Sequence, residues 1–209
     1  MERRHSIATP QLRERGRSCR RVAAGNSCCA VPCIMYRYVI RMLQPSDIVV
    51  LFALLNTAPP WTLRSVAARL GVAHAKVQRA LERLERAGLY DATRRRVVPH
   101  AAEEFLVHGL RYMHPVTLGP VTRGVPTAWA ARPLCDEIVD SDLPPVWPDP
   151  MGDVRGQAVT PLDASLPALA REWPEVAELA ALTDALRIGD ARSRELARRH
   201  LHERIAQAS

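Results

Sequence analysis

Residues 62–90 read TLRSVAARLGVAHAKVQRALERLERAGLY, and their apolar spacing predicts two helices joined by a tight turn. Leu63, Val66, Ala67 and Leu70 recur at helical intervals, with Arg64, Ser65 and Arg69 on the other side. Thr62 stands where a hydroxyl can cap the first free amides. Gly71 supplies a turn residue that tolerates positive φ, and Val72 returns the chain to the core. Val77, Ala80, Leu81 and Leu84 then form a second inner stripe, predicting a helix over residues 74–87. Its outer face carries His74, Lys76, Gln78, Arg79, Glu82, Arg83 and Arg86. Gly88 closes it.

Upstream, Pro45-Ser46-Asp47 marks a helix start, with Ser46 or Asp47 as acceptor for the first amides. The run Ile48–Ala58 is apolar nearly all round, the pattern of a buried central helix. Tyr36 to Leu43 reads as a short helix or strand leading in. Downstream, Leu89–Asp91 and Arg96–Val98 are β-prone pieces around the polar tip Thr93-Arg94-Arg95-Arg96, predicting a hairpin. A further helix begins near Pro99 and carries Phe105, Leu106 and Leu110.

Helix, glycine turn, second helix and basic hairpin in this register resemble the winged helix-turn-helix of MarR-type and related bacterial regulators, over residues 45–105. The resemblance implies a sequence-specific DNA-binding transcriptional regulator, a repressor, with double-stranded DNA as partner. The helix at 74–87 would enter the major groove, where base edges are distinguishable, and the wing at 91–97 would meet backbone or minor groove. It implies base contacts from His74, Lys76, Gln78 and Arg79, which lie beside Ala73 and Ala75. Gln78 suits adenine, and Lys76 or Arg79 suits guanine. Thr62, Arg64, Arg69, Arg83, Arg94, Arg95 and Arg96 would contact the DNA backbone, positioning the protein without specifying sequence. Many family members carry small hydroxyl residues near this helix start where this chain has His74 and Gln78. The departure bears on base preference and not on docking mode. A homodimer is expected, because one recognition helix makes few base contacts.

Charge distribution agrees with a polyanion-binding front. The 209 residues carry a formal net charge of +7. Residues 1–41 contribute +7, residues 42–131 contribute +5 and residues 132–209 contribute −5. Lys76 is the only lysine, so the arginine excess also reflects codon usage, and position in the fold must decide which arginines matter. Winged helices serve protein–protein contacts too, and a basic helix face can be merely solvated.

Residues 1–34 show no periodic apolar face and read as a disordered basic arm or a mis-assigned start, with Met35 or Met42 as first residue. They hold Cys19, Cys28, Cys29 and Cys33, whose spacing matches neither a disulfide framework nor a zinc ribbon. No metal and no cofactor are expected. No apolar run approaches the ~20 residues of a membrane span, and a cytoplasmic, soluble chain is expected.

The remainder divides into a winged-helix domain at 35–111, a Pro/Gly-rich extended segment at 112–160 and a helical region at 161–209. The fold is thus mainly α. In the middle segment Tyr112, Trp129 and Trp147 are expected to be buried. Helices are expected near Pro167–Trp173, from Pro174 to about Ile188, and from about Asp190 to Ala206. His100, His108 and His114 match no metal motif, and His200 and His202 face different sides of one helix. Cys135 reads as a small buried residue. No catalytic set rises above background, and an enzyme is not expected.

Two segments offer other candidate sites. TRGVPTAWA, residues 122–130, carries Arg123 in a Pro- and Gly-fixed loop, and DALRIGDARSREL, residues 184–196, carries Arg187, Arg192 and Arg194. Each reads as a packing loop or solvated helix face, or alternatively as a partner or ligand site. These stretches are similar to uncharacterised regulators of GC-rich bacteria that sit beside toxin-like partners. That similarity implies the alternative reading, an antitoxin-like interaction protein whose residues 132–209 bind a protein partner while DNA binding is autoregulatory.

Overall fold

Elements begin where a cap meets an apolar run, and the first case is α1 (Pro45–Leu55). The computed structural model describes residues 42–138 and 142–208. The basic arm, its four cysteines and most of the lead-in at 36–43 lie outside them. Pro45 opens α1, and the Asp47 carboxylate accepts the Gln44 amide at 2.7 Å. Every residue from Ile48 to Leu54 is buried. Asn56 ends the helix and its side chain donates back to the Phe52 carbonyl.

Thr62 caps α2 (Leu63–Arg69): its Oγ1 accepts the Ser65 amide at 3.0 Å, and Ser65 Oγ accepts the Thr62 amide at 3.0 Å. Val66, Ala67 and Leu70 face inward. Gly71 takes φ +65°, a left-handed turn that leads straight into α3 (His74–Arg86). Val77, Ala80 and Leu84 bury the inner face of α3, and Leu81 is half-buried. Gly88, at φ +74°, ends the unit.

The hairpin is short. β1 (Tyr90–Asp91) and β2 (Arg96–Val97) pair Tyr90 with Val97 and Asp91 with Arg96. Asp91 Oδ1 accepts the amides of Thr93 and Arg94 at 2.9 and 3.0 Å, which turns the tip. The chain then runs through α4 (Pro99–Glu104), a π turn (Phe105–Gly109) and α5 (Leu110–Met113). Ala102, Leu106 and Leu110 form its buried stripe.

The sequence predicts only extended chain over 112–160, but part of it closes into a small sheet. β3 (Val121–Pro126) lies antiparallel to both β4 (Pro145–Pro148) and β5 (Val154–Ala158), and β4 runs parallel to β5, so the three strands form a closed ring. Its tightness depends on glycine. A Cβ on Gly124 would stand 2.0 Å from the Trp147 carbonyl oxygen, and one on Gly156 would stand 1.9 Å from that of Pro144. Trp147 is buried as expected and Trp129 is half-buried, but Tyr112 is 75% exposed. Tyr112 lies two positions past Leu110 and therefore off the buried stripe, where the Arg111 guanidinium lies 5.1 Å from its ring centre. Cys135 is also exposed, because its neighbour Leu134 takes the buried position.

Three helices follow: α6 (Leu166–Glu172), α7 (Pro174–Ile188) and α8 (Ala191–Gln207). α7 is buried along most of its length and packs against α1, α6 and α8. Asp190 caps α8 by accepting the Ser193 amide at 2.7 Å. α8 buries Ala197, Leu201 and Ile205, while Arg204 pairs with Glu178 and His202 with Glu103. The winged helix and these helices share one continuous hydrophobic core.

Two buried ion pairs lock the arrangement. Arg83 donates to both oxygens of the fully buried Asp47, Nε to Oδ2 and Nη2 to Oδ1, each at 2.7 Å. This ties α3 to α1 and removes Arg83 from the expected DNA-backbone contacts. Asp184 is the second centre. It accepts Trp147 Nε1 at 2.6 Å and Thr127 Oγ1 at 2.9 Å on Oδ2, and Arg187 Nη1 at 2.6 Å on Oδ1. Arg187 Nε also donates to the His114 carbonyl at 2.8 Å. Burial pushes the Asp184 pKa up, while Arg187, Trp147 and Thr127 pull it down. With a side chain only 4% exposed, Arg187 is an interior strut, neither the solvated helix face nor the alternative partner or ligand contact read from sequence. The two segments singled out in the sequence, around Thr127 and Asp184, are each other's packing partners.

Removing one member of a buried pair strands the other charge. Asp47→Ala or Arg83→Ala should lower the unfolding free energy in urea by about 3–5 kcal/mol, with D47L/R83M recovering most of the loss. Asp184→Ala should cost about 3–5 kcal/mol in the same assay. Thr127→Val, which leaves two donors on Asp184, should cost only about 1 kcal/mol.

Candidate nucleic-acid interface

On α3, successive residues advance by 100° around the axis, so Gln78, Arg79, Glu82 and Arg86 share the face opposite Val77, Ala80 and Leu84, with His74 at its edge. His74, Gln78 and Arg79 are all exposed. Among the described residues, Arg79 has no ion-pair partner, and Arg86 lies 3.7 Å from Glu82 one turn away. The face therefore presents an amide and a guanidinium without an ion pair among the described residues, with an imidazole at its edge and the Arg86–Glu82 pair beside them. These are the side-chain types that meet base edges by bidentate or single hydrogen bonds.

Lys76 and the more distal Arg83 occupy a different flank of the helix, two turns apart. Both turn toward carboxylates of the protein itself. Arg83 is bound to Asp47, and Lys76 Nζ lies 3.9 Å from Asp163 Oδ2, its side chain 42% exposed. Lys76 is thus drawn toward the loop before α6, although nothing seals it there. Sequence reasoning missed Asp163 because 87 positions separate it from Lys76, and no local pattern announces such a pair.

The remaining candidates separate in the same way. Arg64 on α2 is exposed, with no ion pair among the described residues. Arg69 stacks its guanidinium 3.7 Å from the ring centre of the buried Trp173, which fixes its stem while leaving the residue exposed. Thr62 keeps its hydroxyl on the α2 cap. In the wing, Arg95 folds back: it donates to the Trp61 carbonyl at 3.1 Å and lies 4.7 Å above that ring. Arg94 is 81% exposed with Asp91 3.7 Å away, and Arg96 is exposed without a partner among the described residues. One tip arginine anchors the wing and the other two project from it.

The other candidates do not converge. Arg123 is exposed on β3 and Arg192 is exposed on α8, whereas Arg187 is interior. Arg194 is half-buried on α8. Among the described residues, no three His, Cys, Asp or Glu side chains cluster so as to hold a metal ion. His114 is unusual: its Nε2 is buried without a hydrogen-bond partner among the described residues, and burial together with Arg187 lowers its pKa. No described helix is long and apolar enough to cross a membrane.

Comparison with known proteins bears on the same stretch. No curated protein and no solved structure matches the chain. Residues 43–108 match the family model described as "Sugar-specific transcriptional regulator TrmB". The match spans α1 to the π turn and so includes the capped helix pair, the glycine turn and the wing. The MarR resemblance therefore holds at the level of a winged-helix transcriptional regulator and not for MarR in particular. Residues 43–108 are similar to the DNA-binding domain of a transcriptional regulator, joined here to a C-terminal region that the match does not reach.

Proposed function

We propose that the chain is a sequence-specific repressor that reads the major groove with α3 and steadies itself on the backbone with α2 and the wing. One observation carries the reading. The exposed side of α3 bears Gln78 and Arg79, the latter without an ion-pair partner among the described residues, with His74 and Glu82 beside them, on a helix whose opposite face is locked into the core. Gln78 suits adenine and Arg79 suits guanine. Lys76 joins them when phosphate or base outcompetes Asp163. Arg64, Arg69, Arg94 and Arg96 make the backbone contacts, and Arg95 sets the wing that presents two of them. The protein acts as a homodimer, so two α3 helices meet half-sites about one helical turn apart. The TrmB-type match over residues 43–108 supports DNA binding and transcriptional control.

The test is fluorescence anisotropy with the protein's own upstream DNA against scrambled DNA, across a salt series. Arg79→Ala should weaken specific binding roughly 5- to 150-fold, the range of about 1–3 kcal/mol for a bidentate base contact, while leaving binding to scrambled DNA nearly unchanged. Arg64→Ala should weaken both equally and reduce the salt slope by about one. Equal binding to both DNAs that simply fades with salt would leave only a basic surface. No binding by a verified folded dimer would favour the protein-partner reading for residues 132–209.

A further inference from the structure

Two contacts reach the helix-turn-helix from the C-terminal region, one on each side of the Gly71 turn. Arg69 ends α2, and its guanidinium lies 3.7 Å from the ring centre of Trp173. Lys76 stands in the first turn of α3, and its Nζ lies 3.9 Å from Asp163 Oδ2. The two partners flank one short helix. Asp163 precedes α6, and its Oδ1 accepts the Ser165 amide and hydroxyl at 3.0 and 2.7 Å. Trp173 follows the last residue of α6 and is buried, its amide donating to the Leu169 carbonyl at 2.6 Å. Between these ends α6 packs on the buried α7. Leu70, Val72, Lys76, Asp163 and Ser165 help to line a gap of only about 10 Å³, room for a single water at most. The loop carrying Asp163 thus sits directly against the turn.

We propose that Trp173 and Asp163 are positioning residues of opposite effect on the DNA-reading face: Trp173 presents Arg69 to a phosphate, and Asp163 holds Lys76 back from DNA. The inference rests on the DNA-binding reading and extends it to a region beyond residues 43–108. An arginine already stacked on a buried ring loses less freedom when it meets a phosphate, so its contact is stronger than that of a free arginine. A lysine beside a carboxylate must give up that attraction before it meets DNA, so its contact is weaker than that of a free lysine. The Ser165 hydrogen bonds keep the Asp163 carboxylate in place while the longer Lys76 side chain exchanges between it and DNA. Through the two ends of α6, the C-terminal region sets the strength of DNA binding.

The test uses the full chain and its own upstream DNA. Asp163→Asn removes the charge and keeps the Oδ1 acceptor for Ser165. It should tighten binding about two- to fivefold at low salt, and the gain should vanish in a Lys76→Met background. No gain, or a gain that survives in K76M, overturns the role of Asp163. Lys76 is the only lysine, so a chain labelled with 13Cε-lysine reports on it through one resonance. Without DNA that resonance should differ between the wild type and D163N, and on DNA the two should coincide. Identical resonances without DNA, or a difference of the same size on DNA, overturn the exchange. Trp173→Phe should weaken binding about two- to fivefold and cost nothing further in an Arg69→Met background. An equal loss in both backgrounds is a structural effect and overturns the role of Trp173. A second measurement needs no core substitution: in the wild type without DNA, the Arg69 Nε–H order parameter should exceed that of Arg64, and equal values overturn the same role. Absence of DNA binding by the wild type overturns the DNA reading and this inference together, whereas DNA binding without these couplings overturns the inference alone.

Discussion

Two helices in this chain have almost no polar face, and each must be covered on every side. α1 buries every residue from Ile48 to Leu54, and α7 buries every residue from Val176 to Leu186 except Glu178. Each large aliphatic or aromatic side chain taken from water stabilises the fold by roughly 1.5–3 kcal/mol as an upper estimate. Neither helix finds enough cover within its own stretch of sequence, and they pack on each other. The winged helix and the C-terminal region consequently belong to one compact unit. Packing α7 on α1 also brings Asp163 and Trp173 to the α2–α3 turn, where they meet Lys76 and Arg69.

That packing sorts the arginines. Composition makes nearly every basic residue an arginine, so type alone distinguishes none of them. What differs is how close the core's carboxylates and rings lie. Arg83 and Arg187 reach buried carboxylates and become struts. Arg69 and Arg95 reach tryptophan rings and become braced. Arg64, Arg79 and Arg96 reach nothing among the described residues and stay available, all three within the stretch that matches a transcriptional regulator. A guanidinium left free near a surface costs the protein little, whereas a buried one without a partner would cost several kcal/mol.

Much of the fold was legible because its signals are local. The cap at Thr62, the positive-φ glycines 71 and 88 and the stripe Val77–Leu84 each need only a few neighbouring residues to read. The three C-terminal helices were legible for the same reason, since Pro174 and Asp190 mark their starts. The three-stranded ring was not. Its strands hold four to six residues and are rich in Pro and Gly, and closure depends on backbone approaches at Gly124 and Gly156 that no periodicity encodes. The candidate site was legible in outline and not in allocation. The outward face of α3 follows from its period, but which of its cations pair with Asp47 or Asp163 depends on contacts 36 and 87 positions away.

The proposed function places the Gln78–Arg79 face of α3 against DNA bases, with His74 at its edge. It is tested most directly by incorporating a photo-cross-linking side chain at position 78, or in a separate protein at Arg199 on the exposed surface of α8, and irradiating each with upstream DNA. Base cross-links are expected from position 78, confined to one short sequence per half-site, and none from position 199. Cross-links from position 199 with none from position 78 would contradict it.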